Sequence, residues 1–182
     1  MASKGGAPSE EQGTGSAPPD RAKAAAELLR LENKYRNGLL TESEGELWNE
    51  MATRLFAETR QGKRRKSFRL PCDLRGHAIT RDEDLFQCQV TELSHLGMAF
   101  AAVPARSFQL GDDVIIKDLV FDGDSTALDL RCEVVTSGGV GREARYGLTF
   151  SESSPSVSTR YFERIYYPVY IRYLEIIAGR RS

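Results

Sequence analysis

Lys63-Arg64-Arg65-Lys66-Ser67-Phe68-Arg69 places five cations in seven positions, directly after a helical pattern that stops at Gly62. Arg65 and Arg69 stand four apart, and farther on Glu92-Leu93-Ser94-His95-Leu96-Gly97 brings a carboxylate and a hydroxyl close together in the chain. Arginine is always charged and presents a planar fork of donors. It pairs bidentately with phosphate oxygens and stacks its flat face on a base. A carboxylate and a hydroxyl supply acceptors. These residue types suit the capture of an anionic, planar ligand rich in hydrogen-bond donors, such as a guanine nucleotide. Each charge-assisted bond contributes about 1.5–3 kcal/mol net, so two arginines carry a ligand much of the way to micromolar affinity. Taken alone, the same basic run also reads as a solvated linker, or as a loose nucleic-acid or membrane patch.

No catalytic set accompanies these residues. His77 and His95 are the only histidines. Ser94 and His95 are sequence neighbours, which does not place the imidazole on the hydroxyl. No HExxH, nucleophile elbow, Walker loop or Rossmann fingerprint is present. Catalytic residues, a metal site and a cofactor are therefore not assigned, and a binding module is expected rather than an enzyme. Cys72, Cys88 and Cys132 are odd in number and widely spaced, and fit neither a zinc pattern nor a disulfide framework. Reduced, partly buried thiols are expected.

The 182 residues carry a formal charge of −1, which allows one domain of ordinary size with appendages and argues against a general DNA binder. No apolar run is long enough to span a bilayer, and Met1 to Gly6 contain no apolar stretch of signal-peptide type. The chain is expected in the cytosol, without membrane insertion.

The elements that must position the candidate residues follow from periodicity. Residues 1–20 are Gly, Pro, Ser, Glu and Gln with almost no apolar content, and are expected to be a disordered tail. Ala24, Leu28, Leu31 and Tyr35 form one helical face, and Asn37-Gly38 suits a left-handed cap. Thr41-Glu42-Ser43-Glu44 has capping-box form, with Thr41 as N-cap and Glu44 reaching back. A second helix then runs to about Gln61. Two short helices are marginal alone. They must dock on the chain's own β-domain or on another copy, as in a homodimer seam, with Trp48, Leu55 and Phe56 at the contact.

From Leu70 the period changes. Pro71–Ile79, Leu85–Val90, Gly97–Ala101, Val114–Ile116, Leu128–Val135 and Tyr146–Phe150 read as six short strands separated by turn signals, an antiparallel barrel or sandwich. Gly138 to Gly141 precede a strand rather than a helix, so they read as a hairpin turn and not as a phosphate cradle. Ser154-Pro155 open a helical stretch from Val157 to Ala178, which Pro168 should kink or split. Phe162, Ile165, Val169 and Tyr173 give it one apolar face to close the barrel, leaving Tyr166 or Tyr170 partly exposed.

With these residues in view, the chain resembles the PilZ family of bacterial cyclic di-GMP receptors. The family signature is RxxxR, then some twenty-odd residues, then Asp-or-Asn-x-Ser-x-x-Gly. Arg65-Lys66-Ser67-Phe68-Arg69 matches the first part, and Ser94 and Gly97 match the second. Met98 and Tyr146-Gly147-Leu148-Thr149-Phe150 are also typical. The resemblance covers about Arg64 to Phe150, with the helical hairpin outside it. It implies a fold that is mainly β with flanking helices: a six-stranded antiparallel PilZ-type barrel, here with an N-terminal helical hairpin and a C-terminal helix. It also implies a ligand site for cyclic di-GMP drawn from Arg64, Arg65, Arg69, Glu92, Ser94 and Gly97. Arg65 and Arg69 would grip phosphate and guanine, Ser94 would bond the ligand, and Gly97 would permit a close turn. Glu92 departs from the pattern. It keeps the carboxylate but adds a methylene, and a misplaced acceptor costs about 1–3 kcal/mol.

The expected organisation is a tail (residues 1–20), a helical hairpin (21–62), a basic ligand-binding segment (63–69), a PilZ-like barrel (70–153) and a C-terminal helix with a short tail (154–182). Two functions from different classes fit. One is a cyclic di-GMP receptor and adaptor whose basic segment closes on the barrel, moves the hairpin and alters binding to a protein partner, in motility, envelope or polysaccharide control as the resemblance implies. The other is a degenerate PilZ-like scaffold that binds no nucleotide and acts by constitutive protein–protein contact.

Overall fold

The computed structural model describes residues 19–57, 69–103, 106–139, 144–151 and 154–180. The tail through residue 18, the chain from 58 to Phe68 and the side chain of Phe56 lie outside them. Six antiparallel strands form one closed barrel: β1 (Leu70–Thr80), β2 (Leu85–Ser94), β3 (Gly97–Val103), β4 (Asp113–Phe121), β5 (Asp124–Gly138) and β6 (Arg145–Phe150). The order around the wall is β1-β2-β3-β6-β5-β4, and β1 returns to pair with β4. Closure removes the unpaired strand edges that an open sheet would expose. Period-2 alternation sets the inner face. Leu128, Leu130, Cys132 and Val134 of β5 point inward and are buried, with charged neighbours between them. β4 and β5 are joined by Asp122 and Gly123 alone, both at positive φ, the two-residue hairpin geometry that matches strand twist.

The barrel interior is apolar. Phe86, Phe100, Phe108 and Tyr146 pack ring to ring, with centroids of Phe108 and Tyr146 5.0 Å apart in an edge-on arrangement. All three cysteines are free, and Cys88 and Cys132 are buried. Burial pushes the Cys72 and Cys88 thiols up to about 12, and Cys132 is raised for the same reason.

Two helices precede the barrel: α1 (Pro19–Arg36) and α2 (Glu42–Ala57). The cap signals act locally as their chemistry requires. Gly38 sits at φ +66, and the amides of Gly38 and Leu39 donate to the carbonyls of Tyr35 and Lys34, closing the end of α1 in a Schellman arrangement. At the start of α2 the Thr41 hydroxyl accepts from the Glu44 amide, and the Glu44 carboxylate accepts from the Thr41 amide. Lys34 Nζ also donates to Glu44 at 2.5 Å, fastening the two helices across their turn.

The C-terminal region is α3 (Pro155–Tyr161), a π-helical turn (Phe162–Tyr166) and α4 (Tyr167–Ile177). The break falls where Pro168 demands one. Proline has no amide proton and its ring crowds the preceding turn. The turn widens so that the Tyr167 amide donates to the carbonyl of Phe162, five residues back. The extra residue rotates the apolar face. Tyr161, Ile165, Val169, Tyr170 and Leu174 are buried, whereas Phe162, expected inside, is 47% exposed. Tyr170, expected to be partly exposed, is instead buried. Tyr35 also departs from expectation: the buried face of α1 is Ala25, Leu28, Leu31 and Glu32, and Tyr35 stands in solvent.

The helical pair docks within this chain. α1 packs against α4 and α2, and α4 lies against β1. A buried carboxylate joins the helices. Glu32 is 3% exposed and accepts from Trp48 Nε1 of α2 at 2.9 Å and from the Tyr167 hydroxyl of α4 at 2.7 Å. Arg21 of α1 adds a bond to the Tyr173 hydroxyl at 3.0 Å. Trp48, expected where the pair docks on the β-domain or on another copy, instead bonds within the pair, to the buried acid of α1.

Candidate ligand site

β2 begins in regular alternation, with Phe86, Cys88 and Val90 inside the barrel. Continued unchanged, that period would drive Glu92 into the apolar core. A register shift against β3 between Val90 and Glu92 prevents it. Thr91 is the extra residue of this bulge, and beyond it the phase reverses. Leu93 takes the buried position and Glu92 emerges on the outer wall, its side chain 37% exposed.

The same bulge brings Glu92 to the mouth of β1. Leu70 pairs with Leu93 and Pro71 with Glu92, so Arg69, the residue before β1, arrives beside the end of β2. Arg69 Nη1 donates to Glu92 Oε2 at 2.9 Å. Two residues separated by 23 positions in the chain thus form an ion pair, each about two-thirds buried. It is a single contact rather than the double one a guanidinium can make, which leaves the other donors of Arg69 uncommitted in this pairing.

Ser94 and Gly97 build the turn that follows. Ser94 is 4% exposed. Its hydroxyl donates to the Gly97 carbonyl at 3.0 Å and accepts from the Leu96 amide at 3.3 Å. One acceptor lone pair remains. Gly97 pairs with Thr149 of β6, and a Cβ placed on it would lie 2.0 Å from the Leu148 carbonyl oxygen. No side chain fits there, so this glycine is required by the closure of β3 on β6. From the sequence, Ser94 was expected to bond the ligand and Gly97 to permit a close turn; both residues shape this turn.

Two contributors carry no local sequence signal. The Tyr161 hydroxyl donates to the Ser94 carbonyl at 2.9 Å, pinning the turn to α3. Burial pushes the Tyr161 phenol well above its ordinary range, so it stays a donor. Thr91, whose only role visible here is to be the extra residue, sets the direction of Glu92. Arg64 and Arg65 lie outside the described residues. Among the described residues no cluster of metal-ligating side chains is present, and no helix is long and apolar enough to cross a membrane.

His95, between the two turn-forming residues, is exposed and reaches a different surface. It lines a groove of about 570 Å³ with Trp48, Phe162, Tyr166 and Tyr167. The groove runs between the helical pair and the C-terminal helix. Phe162 and Tyr166 stack along it with centroids 5.6 Å apart, and Arg36 lies 4.8 Å over the Tyr167 ring. The turn that carries Ser94 and Gly97 is thus shared between the outer wall beside Arg69 and this aromatic groove.

A barrel in this strand order, with an arginine at the head of β1 facing a carboxylate and a serine–glycine turn on β2 and β3, defines a class of protein. The PilZ domain matches residues 63–171, and the chain belongs to the PilZ family. Among solved structures, the PilZ domain of YcgR from Escherichia coli, solved with c-di-GMP, is 17% identical, with 65% of this chain and 100% of that chain covered and a TM-score of 0.48. The PilZ domain of CeSA from a cellulose-synthesizing bacterium is 18% identical over 56% of this chain and 98% of that one, with a TM-score of 0.44. The inhibitor of motility MotI/DgrA of Bacillus subtilis is 17% identical over 59% of this chain and 51% of that one, with a TM-score of 0.46. No curated protein matches the chain.

Proposed function

We propose that this protein is a cyclic di-GMP receptor that acts as an adaptor, changing conformation and partner binding when it captures the ligand. The observation that carries the reading is the meeting of the two halves of the PilZ signature. Arg69, the last residue of RxxxR, stands against Glu92 on the outer wall, and Glu92 leads into the turn of Ser94 and Gly97. A partly exposed guanidinium at the head of β1 offers donors for the phosphates of the ligand, and the Glu92 carboxylate stands beside it on the same wall. Arg64 and Arg65 would complete the cationic side. Ser94 would contribute its remaining lone pair, and Gly97 the backbone path.

The signalling step follows from chain connectivity. Residues 58–68 link α2 to Arg69, so a ligand that draws this link onto the barrel pulls on α2. α2 is held through Trp48 and Glu32 to α1, and α1 to α4. His95 lies on the ligand turn and on the aromatic groove between these helices. Capture would therefore alter the groove and the helical surface. The ligand's differential affinity for the closed state supplies the drive. Motility, envelope or polysaccharide control is the setting the family suggests.

Titration calorimetry with cyclic di-GMP tests the reading, with wild type beside an Arg65→Ala/Arg69→Ala double variant. Saturable heat in the wild type, lost in a double variant that still melts cooperatively, is the expected result. No heat from folded wild type at high ligand concentration would sink the receptor reading and leave a PilZ scaffold that works through protein contacts alone.

A further inference from the structure

Glu92 and Arg69 pair with each other on the outer wall, and the pair affects ligand affinity in a way that neither residue does alone. We propose that Glu92 is an internal competitor of the ligand: its carboxylate holds Arg69 closed, and a phosphodiester of cyclic di-GMP must displace it. The proposal rests on the receptor reading and names a regulation of that same site.

The geometry supports it at three points. The contact is short, 2.9 Å from Arg69 Nη1 to Glu92 Oε2, and no other partner of either side chain is seen among the described residues. Side-chain length is the second point. An aspartate in the same place would withdraw its carboxylate by about one C–C bond, roughly 1.5 Å, and would lose the contact. Glutamate bridges that gap. The third point is charge. A phosphodiester approaching Arg69 meets the Glu92 carboxylate as a like charge and as a rival acceptor for one donor fork. The closed state is unable to give its full donor set to phosphate, so the apparent dissociation constant is raised by the reciprocal of the open fraction. A partly exposed ion pair of ordinary strength holds the open fraction low enough to weaken binding about two- to sixfold.

The alternative assignment gives the opposite sign. If Glu92 accepts hydrogen bonds from the guanine edge in the complex, removing its charge weakens binding by about tenfold.

The experiment is calorimetric titration of cyclic di-GMP into the full chain as wild type, Glu92→Gln and Glu92→Asp, each confirmed folded by its melting curve. The proposal expects Glu92→Gln and Glu92→Asp both to bind at least twofold more tightly than wild type. It is equally supported if wild type shows no heat and Glu92→Gln does. Binding weakened or unchanged in Glu92→Gln overturns it. Absence of heat in all three proteins overturns the receptor reading itself, a distinct failure. A measurement without ligand separates the two. A double-mutant cycle on melting stability between Glu92→Gln and Arg69→Gln must show coupling if the pair exists in solution, and no coupling overturns the competitor whatever the ligand does.

Discussion

Replacing Gly97 by alanine is the sharpest test of how the turn is built. The added Cβ would lie 2.0 Å from the Leu148 carbonyl oxygen, 3.0 Å from the Leu148 carbonyl carbon and 3.1 Å from the Thr149 Cα. Carbon and oxygen normally approach no closer than about 3.3 Å, so β3 and β6 must part by more than about 1 Å. The obstacle is backbone on a paired strand, with no rotor to turn away. Parting the strands also strains the bond from the Phe150 amide to the Leu96 carbonyl, 2.9 Å long, at the same corner. Overpacking of this kind costs about 1–3 kcal/mol and a weakened backbone bond about 0.5–1.5 more, together roughly 2–4 kcal/mol. For a chain of this size that is a fall in Tm of about 5–15 °C. Gly147→Ala and Gly138→Ala are the comparators. At Gly147 the added carbon meets the Thr136 hydroxyl, a side chain that can rotate, and at Gly138 it meets nothing within 4 Å. Thermal melts followed by circular dichroism should therefore rank Gly97→Ala lowest and leave Gly138→Ala near wild type. A Gly97→Ala protein that melts with the wild type would refute the close pairing of β3 with β6 at Gly97. The result also governs how ligand data are read, because lost binding in an unstable Gly97 variant says nothing about a ligand contact.

Tyr167→Phe removes one donor from the buried Glu32 carboxylate and should destabilise the chain by about 1–3 kcal/mol; an unchanged melting temperature would show that the acid does not depend on that bond. The bond from Lys34, with the Thr41 amide and hydroxyl, holds the Glu44 carboxyl down to about 2 from its ordinary 4.5. Its folded pKa is lowered, so its contribution to stability is present above about pH 4.5 and is lost as pH falls toward 2. A carboxyl-carbon NMR titration should find Glu44 still ionised at pH 3, and a midpoint near 4.5 would contradict the Lys34 bond and the cap that share this carboxylate. The raised Cys88 thiol, inside the barrel, should resist an aromatic disulfide reagent at pH 8 in the folded chain and react once it is unfolded; fast reaction of Cys88 in native protein would mean the barrel opens readily.

Much of this molecule was legible in the order of its residues, and the reason is that those features are short-range. Gly38 and the Thr41–Glu44 box closed their helix ends as single-turn chemistry dictates. Six strands appeared where alternation and turn residues placed them, because side chains alternate faces whatever the neighbouring strand is. The signature that marks the family is likewise a matter of residue type and spacing. What the sequence could not decide depends on partners brought from far along the chain. The helical face shifted by one residue because Pro168 opened a π-turn, so Phe162 went out and Tyr161 went in. No sequence signal marks Glu32, whose burial follows from α2 and α4 bringing Trp48 and Tyr167 to it. Glu92 faces outward only because a bulge at Thr91 reverses the phase of β2, and it meets Arg69 only because β1 pairs with β2 in one register. Local sterics write the elements, whereas strand register and helix docking, settled by burial across the whole barrel, decide which of those residues face each other.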